Sequence, residues 1–86
     1  MMAAWQAYLA EARRRSPHTG RAYVATARRF VQALDLADWA GCARVEAGGL
    51  RAYLAQRRAV GIGNVSAARE LSGVKAFLAF ARGQAG

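Results

Sequence analysis

The sequence predicts an all-α fold, a compact bundle of four helices. Three observations carry that prediction. Apolar residues recur at helical spacing in four separate stretches. Turn chemistry stands between them, and no stretch alternates apolar and polar as a strand does. The 86 residues allow one domain, near the lower range in which a single core is stable without staples. Apolar residues make up 55% of the chain and many are alanine, so the core rests on a few large side chains. These are Trp5, Leu9, Tyr23, Phe30, Leu34, Leu50, Tyr53, Leu54, Leu71, Val74, Phe77 and Leu78. They suffice for a bundle and leave no room for a large enzyme pocket.

The first helix is expected over residues 2–14, with Trp5, Leu9 and Ala12 on one stripe. Ser16 then reads as an N-cap, with Pro17 at the first helical position. The second helix, residues 17–34, is the clearest amphipathic segment. At about 100° per residue, Tyr23, Ala27, Phe30, Val31 and Leu34 share one face. Arg21, Ala25, Arg28 and Gln32 fall on the other, a basic face with no acid to neutralise it. Residues 35–46 are the least regular stretch, and Trp39 within them reads as a lid on the core.

A third helix over residues 47–59 buries Leu50, Tyr53 and Leu54 and exposes Arg51 and Arg58. Gly48 and Gly49 weaken its first turn, and Gly61 is its stop. Asn64 reads as the N-cap of a fourth helix that ends near Ala81. Leu71, Val74 and Leu78 point inward; Val65, Arg69, Ser72 and Ala76 point away, with Lys75 at the border. The domain thus spans residues 1–82, and residues 83–86 read as the start of a linker.

Thirteen Lys and Arg face five Asp and Glu, a net charge of +8. All the cations but Lys75 are arginine, which suits bidentate recognition of phosphate or bases. Part of that preference is what an arginine-rich genome produces, but the excess over acids is not explained that way. Such a charge favours a polyanion, nucleic acid before an anionic membrane surface. The lone Cys42 and lone His18 exclude an internal disulfide and the usual zinc-finger ligand sets, so no metal and no cofactor are expected. No segment has the length of a membrane-spanning helix and none has a signal-peptide pattern, so a cytoplasmic protein is expected.

Chemistry is expected at helix starts, where free N–H groups and the helix dipole favour a phosphate oxygen. Two starts carry a small polar cap with arginine in the first turns. One is Ser16, Pro17, His18 and Thr19 with Arg21; the other is Asn64 to Ser66 with Arg69. If both point the same way they form a two-pronged basic surface able to straddle a DNA groove. Either cap also has the plain role of ending its helix, and the uncompensated arginines tip the reading to DNA. Arg13, Arg14 and Arg15 form either a solvated junction or a reach to the phosphate backbone. No catalytic triad, carboxylate pair, Gly-rich phosphate loop or placed tyrosine nucleophile is found. The His18-x-x-Arg21 spacing has no partner histidine, so no catalytic residue is nominated and an enzyme is not expected.

Three blocks resemble a known family. Ser16-Pro17-His18-Thr19-Gly20-Arg21-Ala22-Tyr23, followed by Arg29-Phe30, resembles the "SPNT-x-x-x-Y … F" opening of tyrosine recombinases of the Xer and phage-integrase type. Leu50-Arg51-Ala52-Tyr53-Leu54 resembles their "DLRAYL" helix. Leu71-Ser72-Gly73-Val74-Lys75-Ala76-Phe77, then Phe80, resembles "LSALRAFY-x-F". Order and spacing match over nearly the whole chain. The resemblance implies the N-terminal core-binding domain, a four-helix SAM-like orthogonal bundle. It implies half of a clamp around DNA, with the second and fourth helices at the major groove. The family's catalytic residues belong to a separate C-terminal domain and none is carried over. Gly20, Gly48, Gly49 and the Gly63-Asn64 start depart from the family pattern, in places that bear on groove contact.

The expected partner is therefore double-stranded DNA, within a site-specific recombinase or integrase. Phosphate contacts are assigned to Ser16, Thr19, Arg21, Arg28 and Asn64. Base-edge or groove contacts are assigned to His18, Arg69, Ser72 and Lys75. The domain alone is expected to be monomeric, and the recombinase to assemble on DNA. A reading of another class is a protein-interaction module whose basic face docks on an acidic partner.

Overall fold

The computed structural model describes residues 1–12 and 17–85, and for residues 12 and 17–19 it describes the backbone only. Five helices are present among the described residues: α1 Met2–Ala12, α2 Pro17–Ala33, α3 Trp39–Ala43, α4 Ala47–Ala59 and α5 Asn64–Ala85. The fold is all-α, as expected, with no strand among the described residues. The expected count of four becomes four long helices and one short one.

The short helix lies in the stretch that shows no periodicity. Five residues are too few to display a 3.6-residue repeat, so α3 is formed by its cap. Asp38 is extended at φ −148°, and its carboxylate accepts the Gly41 N–H at 2.7 Å. That bond satisfies one of the donors a helix start leaves free. The turn drops Cys42 into the core and lays Trp39 over it.

Two helix ends are set by residues with left-handed backbone. After α4, Gly61 has φ +99°. Its N–H donates to the Arg58 carbonyl at 3.0 Å, and the next N–H, of Ile62, reaches Arg57 O at 3.5 Å. This paired pattern closes a helix with glycine just past its cap. After α2, Asp35 does the same at φ +54°, with Asp35 N–H to Gln32 O and Leu36 N–H to Val31 O. The other two boundaries differ from expectation. The first bond of α5 runs from Ala67 N–H to the Gly63 carbonyl at 2.9 Å. Gly63 therefore holds the cap position, and Asn64 is the first helical residue rather than the N-cap. At the far end, α5 runs to Ala85 instead of stopping near Ala81. Gly83 does not stop it because its φ is not positive, and a glycine without that geometry only weakens a helix.

The core is an aromatic stack threaded by α5. Trp5 meets Phe77 edge-on at 5.5 Å between ring centroids, and the Trp5 indole donates to the Tyr23 carbonyl at 3.4 Å. Trp39 caps Phe77 and Phe80 at 5.8 and 5.4 Å, the lid expected of it. Phe30 and Tyr53 meet edge-on at 5.1 Å and join α2 to α4. Ala76, expected to point outward, is half-buried against this core because α5 is flanked by several helices at once.

Helices α2 and α5 approach closely because Gly73 faces the buried Thr26. A Cβ added at Gly73 would lie 3.1 Å from Thr26 Cγ2. Gly73→Ala should therefore cost about 1 kcal/mol, overpacking outweighing the gain in helix propensity. That lowers the melting temperature by roughly 4–8 °C in a domain of this size. Thr26→Ser on the Gly73→Ala background, which removes the clashing methyl, should recover most of the loss. A rise in melting temperature for Gly73→Ala alone would contradict this packing.

Candidate nucleic-acid interface

The exposed side of α2 is flanked by two grooves. Arg21 and Arg28 line the one shared with α1, together with Gln6 and Gln32. Arg69, Ser66 and Ser72 line the one shared with α5. Ala25 and Arg29 border both, so they form the ridge between them. Arg21, Arg28, Arg69, Ser72 and Lys75 are all exposed. The helical periods explain this directly: Arg21, Arg28 and Gln32 sit opposite Ala27 and Phe30, which are buried.

A buried acid organises the floor. Glu70, on α5, shares the apolar stripe of Val74, Phe77 and Ala81 and is itself 5% exposed. Its carboxylate accepts from Arg29 Nη2 at 2.9 Å and Arg29 Nε at 3.3 Å. Tyr53 OH also donates to it, and Arg57 Nε forms an ion pair with it at 3.4 Å. Arg29 Nη2 donates further to Thr26 Oγ1 at 3.2 Å. Burial alone would push the Glu70 carboxyl up. The bonds from Arg29 and Tyr53, with the charges of Arg29 and Arg57, outweigh it and hold the carboxyl below its ordinary value. The Tyr53 phenol is pushed up to about 12 by its own burial and by the bond to Glu70. It therefore stays a donor at any physiological pH. The Glu70 bond also raises Arg29. Burial raises the Cys42 thiol, which makes it a packing group rather than a nucleophile.

A family model described as phage integrase, N-terminal SAM-like domain, matches residues 2–85. The chain belongs to this family. No curated protein and no solved structure gives a match. The matched span of this SAM-like domain takes in α1 through the last turn of α5. The extra turn beyond Ala81 therefore falls within the matched span.

The residues nominated from sequence fall into three groups. Arg21 and Arg28 lie together in the α1–α2 groove, and Arg69 and Ser72 in the α2–α5 groove. Lys75 is exposed but lies outside both linings, further round α5. Ser16 and the Arg13–Arg15 triplet lie outside the described residues, as do the side chains of His18 and Thr19. Asn64 is exposed at the start of α5 and does not line either groove. Thr26 meets Gly73, while Arg29, three residues on, meets Glu70, three residues back. Ala22 and Ala25 on α2 and Ser66, Ala68 and Arg69 on α5 line one groove, so the basic surface there is a flank shared by the two helices.

Sequence reasoning missed Arg29, Arg57, Tyr53 OH and Glu70 as a set. One signal was available: Glu70 stands four residues before Val74 and seven before Phe77. An acid on an apolar stripe must have a cationic partner or it would not stay ionised. Glu70 takes up Arg29, which lies beside the Arg21, Arg28 and Gln32 face rather than on it.

No helix among the described residues is long and apolar enough to cross a membrane. No group of His, Cys, Asp and Glu among them could hold a metal ion.

The depressed Glu70 carboxyl makes stability depend on pH with a definite sign. Its contribution is present above the unfolded value near 4.5 and is lost as pH falls through the folded value. The melting temperature should fall as pH drops below about 4.5, and Glu70→Gln should flatten that fall. At neutral pH the same substitution should cost about 1–2 kcal/mol, since the ionic bonds from the half-exposed Arg29 are partly solvent-screened. Parallel pH profiles for the two proteins would contradict the assignment.

Proposed function

We propose that this domain grips duplex DNA for a site-specific tyrosine recombinase of the Xer and integrase type. It holds the duplex with the exposed flanks of α2 and α5 and contributes no catalytic group. The observation that carries this is the charge sorting around α2. Arg21, Arg28 and Arg69 stand in two adjacent grooves, and among the described residues the only acid lining either groove is Glu70. That acid is buried and already paired with two cations. A phosphate entering either groove thus meets arginine, with no competing exposed carboxylate among the described lining residues.

The ridge between the grooves suits a duplex. Ala25 at its crest is small, so backbone can approach closely while Arg21 and Arg28 on one side and Arg69 and Ser72 on the other reach outward. Guanidinium groups on phosphate oxygens set position and most of the affinity. Arg69, Ser72 and Lys75 on α5 are the side chains for base edges or sugar, and His18 joins them at the start of α2. The family resemblance supports catalysis by a separate domain of the same protein, with assembly of protomers on DNA. Within that division of labour this domain positions and holds, and the chemistry is done elsewhere.

Binding should be weak and steeply salt-dependent for the domain by itself. Arg21→Ala with Arg69→Ala should lower the slope of log K against log salt by roughly 1.8, about 0.9 for each phosphate left without its arginine. Duplex titrations at several salt concentrations measure this. An unchanged slope and affinity would remove the surface, and binding of an acidic protein but not of duplex would favour the protein-docking reading.

A further inference from the structure

A third groove lies between α2 and α4, with a volume of about 340 Å3, on the other side of Arg29 from the α2–α5 groove. Arg29, Gln32, Gln56 and Arg57 line it, with Tyr53 also in its wall. Arg21, Arg28 and Arg69 are not among its residues.

Arg57 is the unusual member. Its Nε is buried, yet makes no hydrogen bond; at 3.4 Å from Glu70 it has an ion pair only. A guanidinium carries five N–H donors, and among the described residues no hydrogen bond satisfies any of them. The side chain is 27% exposed, so the charge is held in place by Glu70 while its outer edge stays open to the groove. Gln32 and Gln56 are exposed and bring two more amide donors to the same walls. Glu70 does not cancel the site. Two guanidiniums face one carboxylate, which leaves one unit of positive charge, and both carboxylate oxygens already accept bonds.

We infer that the α2–α4 groove is a subsite for a phosphate group. Its occupant is a backbone phosphodiester beyond those held by α2 and α5. This rests on the DNA reading of the α2 surface and extends it. A guanidinium without a hydrogen bond and two exposed amides around a concave, net positive site match a tetrahedral oxyanion with several acceptor oxygens. Arg29 borders both the α2–α5 groove and this one. Backbone leaving the main surface over Arg29 therefore passes directly into it.

The test has two arms on the full chain. In the first, inorganic phosphate is titrated while the Arg57 Nε–H and the Gln32 and Gln56 side-chain amide resonances are followed, with sodium chloride at matched ionic strength as reference. Saturable shifts with phosphate and none with chloride are expected; equal shifts with both salts would overturn the subsite. In the second, duplex affinity is measured against salt for Gln56→Glu. Ala55→Glu, one position along α4 and outside the groove, serves as the control for long-range charge. Gln56→Glu should weaken low-salt binding about tenfold and cut the salt slope by about 0.9, with an unchanged melting temperature. Ala55→Glu should have a clearly smaller effect. Equal effects from the two substitutions would overturn the subsite and leave the DNA reading standing. Saturable phosphate shifts without any duplex binding would instead sustain the subsite's chemistry and overturn the DNA reading. Arg57→Ala should abolish the phosphate shifts at the Gln amides, provided its melting curve shows a folded domain.

Discussion

A carboxylate removed from water is tolerated only when charge and hydrogen bonds replace its hydration. Glu70 meets that requirement with groups from two other helices: Arg29 on α2, and Tyr53 and Arg57 on α4. The constraint runs both ways. The acid on α5 is acceptable only if α2 and α4 stand where they do, and their polar groups are placed only because the acid is there. Apolar packing is nondirectional and would allow several arrangements of α2, α4 and α5. This polar junction selects one, and the Gly73–Thr26 approach beside it sets how near α2 and α5 come.

The same junction decides how the positive charge is used. Of the cations near α2, Arg29 and Arg57 are drawn toward Glu70, while the grooves of Arg21, Arg28 and Arg69 hold, among the described residues, no acid other than that paired one. A surface of uniformly free arginines would repel itself and hold none of them in position. Here one buried acid takes up part of the charge, fixes the ridge at Arg29 and leaves the rest aimed outward. Stability and recognition are thus linked at one residue. Arg29 is 42% exposed, so it belongs to the fold through Glu70 and to the surface through its open edge.

Much of this was legible in the sequence. The apolar stripes of α2 and α4 place Phe30 and Tyr53 correctly, and the basic flank of α2 follows from the same period. Gly61 marks the end of α4 because only a residue tolerant of positive φ fits there. The misses have physical causes. Helix α3 is a single capped turn, too short for periodicity to register. Asn64 reads as a cap by residue type, but Gly63 supplies the accepting carbonyl. Tyr53 was placed in the core by its ring, while the role of its hydroxyl depends on Glu70, seventeen residues away. Pairings across that distance are invisible to local pattern, although an acid on an apolar stripe announces that some partner exists.

The central claim is that Glu70 and Arg29 act as a unit joining α5 to α2. A double-mutant cycle measures this directly, using Arg29→Met, Glu70→Gln and the pair in denaturant unfolding. A coupling energy of about 1–2 kcal/mol is predicted, as for a charge-assisted, partly buried bidentate contact. Additive losses, with coupling within about 0.3–0.5 kcal/mol of zero, would show two independent residues and contradict the account.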